Sequence, residues 1–166
     1  SKMKFIKTIS VIIAHYRKKE KNGRNILSAE TYIELFRNTI HGIMGNIEAE
    51  SSFKPELTNS NGGAFGLVQW LKGRKTNMIN YAKNNGMKET DVKAQLEFIH
   101  HEIESRDGWI SPNGWYPTTH TVDGFRSTDD PVYAAEAFAE SFERMSKREY
   151  RDSYNKRTNA AKKYYD

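Results

Sequence analysis

Between residues 33 and 47 the apolar side chains Ile33, Leu35, Phe36, Ile40, Ile43, Met44 and Ile47 recur at the three- and four-residue spacing of one helix face. The run is dense enough to be buried, and it stops at Glu48, Glu50 and Pro55, where a polar segment rich in Asn, Ser and Gly begins. A chain organised around such a helix must build the rest of its core against it. Further helices are expected over 5–16, 72–84, 90–106, from Pro131 onward and over 148–165, each from apolar residues in helical register. No alternating strand pattern of the parallel βαβ kind is present, so the expected fold is mainly α, with at most a small β-hairpin near residues 57–70. The segment 107–129, with Gly108, Pro112, Gly114, Pro117 and Gly124 among Trp109, Trp115, Tyr116 and Phe125, reads as a long loop or short hairpin carrying exposed aromatics.

With 166 residues the chain suits one domain that buries about 70% of its unfolded surface, and the length also fits one domain of a larger protein. The absence of cysteine excludes disulfides, thiol nucleophiles and cysteine-ligated metals. His100-His101-Glu102 lacks the second histidine of a zinc-protease motif because Ser105 stands there, and no phosphate-binding loop occurs, so neither a metal nor another cofactor is expected. The net charge of +5 is unevenly spread: residues 1–25 carry eight Lys/Arg against one acid, whereas residues 26–146 carry eleven against seventeen. A nucleic-acid surface would concentrate its cations about a functional centre, so nucleic acid is not an expected partner. The basic ends would favour an anionic wall polymer. The apolar stretch 5–14 is too short to span a bilayer, and no transmembrane segment is expected.

Two stretches carry chemistry. Glu48 and Glu50 lie two positions apart on a helix, so only one of them can face a given cavity. Glu50 continues the face of Met44 and Ile47, where partial burial would raise its pKa and suit it to give a proton to a leaving oxygen. A glutamate in a last helical turn can equally face solvent. Downstream, Gly62, Gly63 and Gly66 surround Phe65 and lead into Gln69 and Trp70, which reads either as a saccharide-binding turn or as a structural turn with Trp70 in the core.

Taken together, Gly45-Asn46-Ile47-Glu48-Ala49-Glu50-Ser51 and Phe65-Gly66-Leu67-Val68-Gln69-Trp70 resemble the phage tail lysozymes of the lysozyme-like superfamily, and more distantly the soluble lytic transglycosylases. The resemblance continues through Gly73-Arg74, Tyr81-Ala82, Gln95-Leu96 and Phe142-Glu143-Arg144, is strongest over 33–146, and departs from the family at Met145, where a proline is usual. It implies a lysozyme-like fold and a muramidase that cleaves the β-1,4 bond between N-acetylmuramic acid and N-acetylglucosamine. Glu50 would be the acid, and the protein would act extracellularly on bacterial peptidoglycan as part of a phage tail or conjugation assembly, or as a secreted enzyme. Gln69, Phe65, Trp70, Ser60, Asn61 and Trp115 are the expected substrate-binding residues. Glycoside hydrolysis also needs a second group, unless the substrate supplies its own through its N-acetyl group. The expected helpers are Glu143 and Glu56, with Asp107 and Asp123 more distant in sequence and Thr58, Ser60 or Asn61 available to orient a water. The competing readings are a lytic transglycosylase that leaves 1,6-anhydro ends, and a non-catalytic wall- or tail-binding module.

Overall fold

The helix expected from the apolar run forms the centre of the molecule. The computed structural model describes residues 29–104, 120, 122–143 and 147–165. Within them α1 spans Ala29–Ser51, α2 Lys72–Asn84, α3 Val92–Glu104, α4 Val122–Ser127, α5 Pro131–Ala137 and α6 Lys147–Tyr165, and a π-helical turn, Phe138–Phe142, continues α5. The helix expected over 5–16, together with Trp109 and Trp115, lies outside the described residues.

Along α1, Ile40, Ile43, Met44 and Ile47 are buried, and α4, α5 and α6 pack around them. Phe125 of α4 and Phe138 and Phe142 of the π turn complete this core, the last two with rings stacked 4.3 Å apart. Phe125 is therefore a core residue at the end of the 107–129 segment and not an exposed loop aromatic, because α4 turns its ring inward. Asp130 caps α5 by accepting from Val132 N at 2.9 Å, and Pro131 takes the first helical position, where no backbone donor is needed.

The approach of α6 to α1 is closer than side chains usually permit. A Cβ built on Gly45 would lie 2.5 Å from the Arg157 carbonyl oxygen and 2.9 Å from Ala161 N, so the two backbones touch where only glycine leaves room. That contact brings the middle of α6 beside the last turns of α1.

On the other side, α2 and α3 pair through Met78, Ala82, Phe98 and Ile99, with the Tyr81 and Phe98 rings 5.4 Å apart and Trp70 edge-on to Phe98 at 5.7 Å. No β-hairpin occurs among the described residues. The segment between α1 and α2 holds two isolated antiparallel bridges, Thr58 with Phe65 and Phe65 with Trp70. Its backbone groups are instead met by turns and by one buried side chain. Gln95 of α3 accepts from Leu67 N at 2.8 Å through Oε1 and donates through Nε2 to the carbonyls of Pro55 at 2.8 Å and Glu89 at 2.7 Å. Gly66, at φ +86°, packs its Cα against that amide: a Cβ there would meet Gln95 Oε1 at 2.8 Å. An amide side chain thus does what a strand partner would have done, which the alternation pattern of the sequence could not reveal.

Gly45→Ala is expected to lower stability by about 1–3 kcal/mol through overpacking, despite alanine's better helix propensity. Gly73→Ala on α2, where a Cβ meets nothing within 4 Å, is expected to be neutral or stabilising by up to about 1 kcal/mol. Denaturant midpoints of the two variants check the contrast.

Candidate active site

The end of α1 is fixed from both sides. Ser51 Oγ donates to Ile47 O at 3.1 Å and to Leu67 O at 2.8 Å, which ties the last helical turn to the segment carrying Gln69. Immediately afterwards Ser52 and Phe53 take the left-handed conformation, at φ 51° and 62°, and Gln69 does the same at φ 57°. Non-glycine residues in that region carry strain of about 1–3 kcal/mol each, and such strain collects at functional sites.

Between these segments and α6 lies an open cavity of ≈ 710 Å³, and Glu50, Asn61, Gln69, Arg74, Glu143 and Arg157 are among the residues that line it. The two glutamates of α1 separate as their spacing requires. Glu50 faces the cavity, whereas Glu48 accepts from Lys163 Nζ at 3.1 Å and Tyr164 OH at 3.0 Å on the surface of α6.

Glu50 is held by Arg157. The guanidinium donates through Nη2 to Glu50 Oε1 at 2.6 Å, through Nη1 to Asn46 Oδ1 at 2.8 Å and through Nε to Ser153 Oγ at 2.8 Å. Asn46 passes the restraint on, donating to the carbonyls of Gly42 at 2.9 Å and Ala135 at 3.1 Å. With the two side chains only 7% and 20% exposed, the Arg157–Glu50 pair is a largely desolvated, charge-assisted contact. It leaves the second oxygen, Oε2, with no protein partner among the described residues.

Glu143 shares the cavity and differs in kind. The residue as a whole is partly exposed, yet its Oε1 is shut off from solvent and has no hydrogen-bond partner. Burial pushes its carboxyl well above the usual range, and the charge of Glu50 adds to the shift, while Arg157 and Arg74 oppose it and Glu102 reinforces it. The cavity therefore holds a carboxyl whose protonated form is favoured by burial beside one paired to arginine.

The expected binding residues divide. Gln69 and Asn61 line the cavity. Gln69 spends its amide donor on Leu57 O at 3.1 Å and Gly66 O at 2.9 Å, so its Oε1 is the group left for a sugar hydroxyl. Phe65 and Trp70 do not line it, and both expectations are corrected: they are buried in the core, with Trp70 Nε1 donating to Glu102 Oε1 at 2.7 Å, because the turns around Gly66 and Gln69 direct their rings away from the opening. Ser60 and Glu56 are exposed and are not among the residues that line the cavity. Trp115, Asp107 and the Asp123 side chain lie outside the described residues. Sequence reasoning missed Arg157, Ser153, Asn59 and Leu71. For Arg157 a signal existed: it stands on the same α6 stripe as the buried Ala160, Ala161 and Tyr164, where an arginine needs a buried acceptor. Among the described residues no group of three or more His, Cys, Asp or Glu side chains is placed to hold a metal ion.

Over residues 20–166 the chain matches the phage tail lysozyme family. It belongs to that family. It is thus a lysozyme-family enzyme, a glycoside hydrolase, and the match includes α6 and Arg157, beyond the 33–146 span of strongest motif resemblance. A stretch of 80 residues is also 35% identical to Morphogenesis protein 1 of Bacillus phage B103, covering 45% of this chain and 21% of that protein. The chain therefore spans about a fifth of the length of that curated relative. No helix among the described residues is long and apolar enough to cross a membrane.

The buried acid has a thermodynamic signature. From 4.5 upward the unfolded chain releases the Glu143 proton while the folded chain keeps it, so this residue makes stability fall as pH rises toward its folded pKa. Glu143→Gln removes that effect. The variant is expected to melt above the wild type at pH 7, with the gap closing as pH falls to about 4, in thermal scans across that range.

Proposed function

We propose that the chain is a peptidoglycan muramidase, hydrolysing the β-1,4 bond between N-acetylmuramic acid and N-acetylglucosamine, with Glu50 as general acid and Glu143 as the second carboxyl. The observation that supports this reading best is the pairing of Glu50 and Glu143 in one cavity large enough for sugar rings, with their environments driven apart. Burial favours the protonated form of Glu143, and in this reading the unpartnered Oε2 of Glu50 is the atom that delivers a proton to the glycosidic oxygen. As that oxygen accepts the proton, its bond to the anomeric carbon breaks. A water then adds to the carbon, and the proton it releases returns to the pair, leaving a reducing end and a free hydroxyl. Gln69 Oε1 and Asn61 supply polar contacts to the sugars, and Arg157 keeps Glu50 from swinging out of the cavity.

In this reading the substrate is bacterial peptidoglycan and the site of action is extracellular, at the cell wall, within a phage tail or a related wall-penetrating assembly. The family match and the similarity to a phage morphogenesis protein support that setting.

Glu50→Gln is expected to remain folded and to lose about 10²–10⁴-fold in kcat. Mass spectrometry of digested peptidoglycan is expected to show reducing disaccharide-peptides made by the wild type alone. Anhydro-muramyl ends would reassign the reaction to a lytic transglycosylase, and glycan binding without turnover would make the chain a binding module. Glu143→Gln is expected to retain reduced activity whose alkaline limb lies at lower pH than that of the wild type, because the variant no longer stores a proton above the ordinary carboxylate range.

A further inference from the structure

Helix α5 does not lead into Glu143 by regular turns. From Phe138 the backbone widens into the π turn, and Glu143 N donates to Phe138 O at 3.0 Å, five residues back instead of four. One extra residue in a turn rotates the succeeding residues by about 100° around the helix axis. π turns are rare because their backbone is less well packed, and they occur mostly as single turns at functional sites. A contact from outside the helix reaches this one.

Arg74 of α2 makes the contact. Its Nη1 donates to the carbonyl oxygen of Phe142, the last residue of the π turn, at 2.8 Å, and its guanidinium lies 4.5 Å above the centre of the Phe142 ring. The remaining nitrogens hold the guanidinium still: Nε reaches Glu102 Oε2 at 2.8 Å and Nη2 reaches Glu102 Oε1 at 3.0 Å. Glu102 is itself buried and fixed by Trp70 Nε1. A planar fork locked on one side to a buried carboxylate can therefore present its third donor to Phe142 at a defined position. That carbonyl ends a helical segment, where backbone acceptors are no longer met within the helix.

We infer that Arg74 is a positioning residue for Glu143: by clasping the carbonyl and ring of Phe142 it holds the π turn open, and the open turn aims the Glu143 carboxyl into the cavity it shares with Glu50. The inference rests on the pairing of Glu50 with Glu143 proposed above. Arg74 acts through the backbone, since the charged groups facing Glu143 are Glu50, Arg157, Arg74 and Glu102, and the two arginines oppose its protonated state. Its geometric role thus runs counter to its charge, and the two can be separated by experiment.

Arg74→Lys keeps the positive charge beside Glu102 but cannot hold that carboxylate with two points and Phe142 O with a third. On peptidoglycan fragments it is expected to lower kcat about 10- to 100-fold through misplacement of Glu143, with the alkaline limb of activity moved to lower pH as that carboxyl gains access to water. KM is expected to stay within about twofold, and in a Glu143→Gln background the same substitution is expected to change kcat by less than about twofold. Equal losses in both backgrounds, an unshifted pH profile, or a rise in KM with kcat preserved would each overturn the inference, the last by making Arg74 a substrate contact. Should Arg74→Lys fail to fold, the neutral pair Arg74→Met with Glu102→Gln strands no buried charge, keeps an acceptor for Trp70 and removes the same clasp, and the same comparison applies. If Glu143→Gln alone leaves kcat and pH profile at wild-type values, the pairing of the two glutamates falls, and this inference with it. A crippled Glu143→Gln combined with additive loss at Arg74 would overturn the positioning role alone.

Discussion

The Arg157 guanidinium is the contact on which the arrangement of the site depends. It reaches the buried edge of α1 only because Gly45 lets the two helix backbones meet, and it then satisfies Asn46, Glu50 and Ser153 at once. Each of these partners would be costly to leave alone in so dry a place: the carboxylate of Glu50 would lack a counter-charge, and Asn46 would lose the donor that orients its amide toward Gly42 and Ala135. Because Asn46 also bonds the carbonyl of Ala135, the same network ties α1 to α5, the helix whose continuation presents Glu143. Two carboxyls on different helices are thus referenced to one another through backbone groups and not through loops.

The second arginine plays a parallel part from the opposite wall. Arg74 links α2, α3 and the π turn through Glu102 and Phe142, as Arg157 links α1, α5 and α6. Both side chains spend their fixed fork on protein groups, which makes the cavity walls stiff. Asn61 and the exposed Leu71 line the same cavity away from these clasps.

Much of the architecture was legible in the sequence because it follows from periodicity. The spans of α2 and α6 and the end of α1 at Ser51 follow from apolar spacing and from the Gly- and Asn-rich punctuation after it, and the divergence of Glu48 from Glu50 follows from helix geometry alone. The turn segment was less readable. Phe65 and Trp70 belong to a motif whose residue types suit both a sugar platform and a core anchor, and only the left-handed conformations at Gly66 and Gln69 decide which way the rings point. The state of Glu143 was also hidden. Its burial depends on a π turn, which leaves no mark in a three-and-four pattern, and on charges brought from α1, α2, α3 and α6. Residue spacing draws attention to Glu50, whereas the raised carboxyl at Glu143 comes from burial that spacing does not encode.

Glu50 and Arg157 are separated by 107 residues of chain, and among the described residues nothing nearer in sequence takes the arginine's place beside the carboxyl. During synthesis and refolding, the first glutamate of the pair is made long before its counter-charge exists. Helices α2 and α3 pair locally, but Glu50 meets its counter-charge only when α6 docks on α1, a long-range step that closes a long loop. The environment of Glu50 is therefore a property of the docked helices and not of the segment that carries the residue.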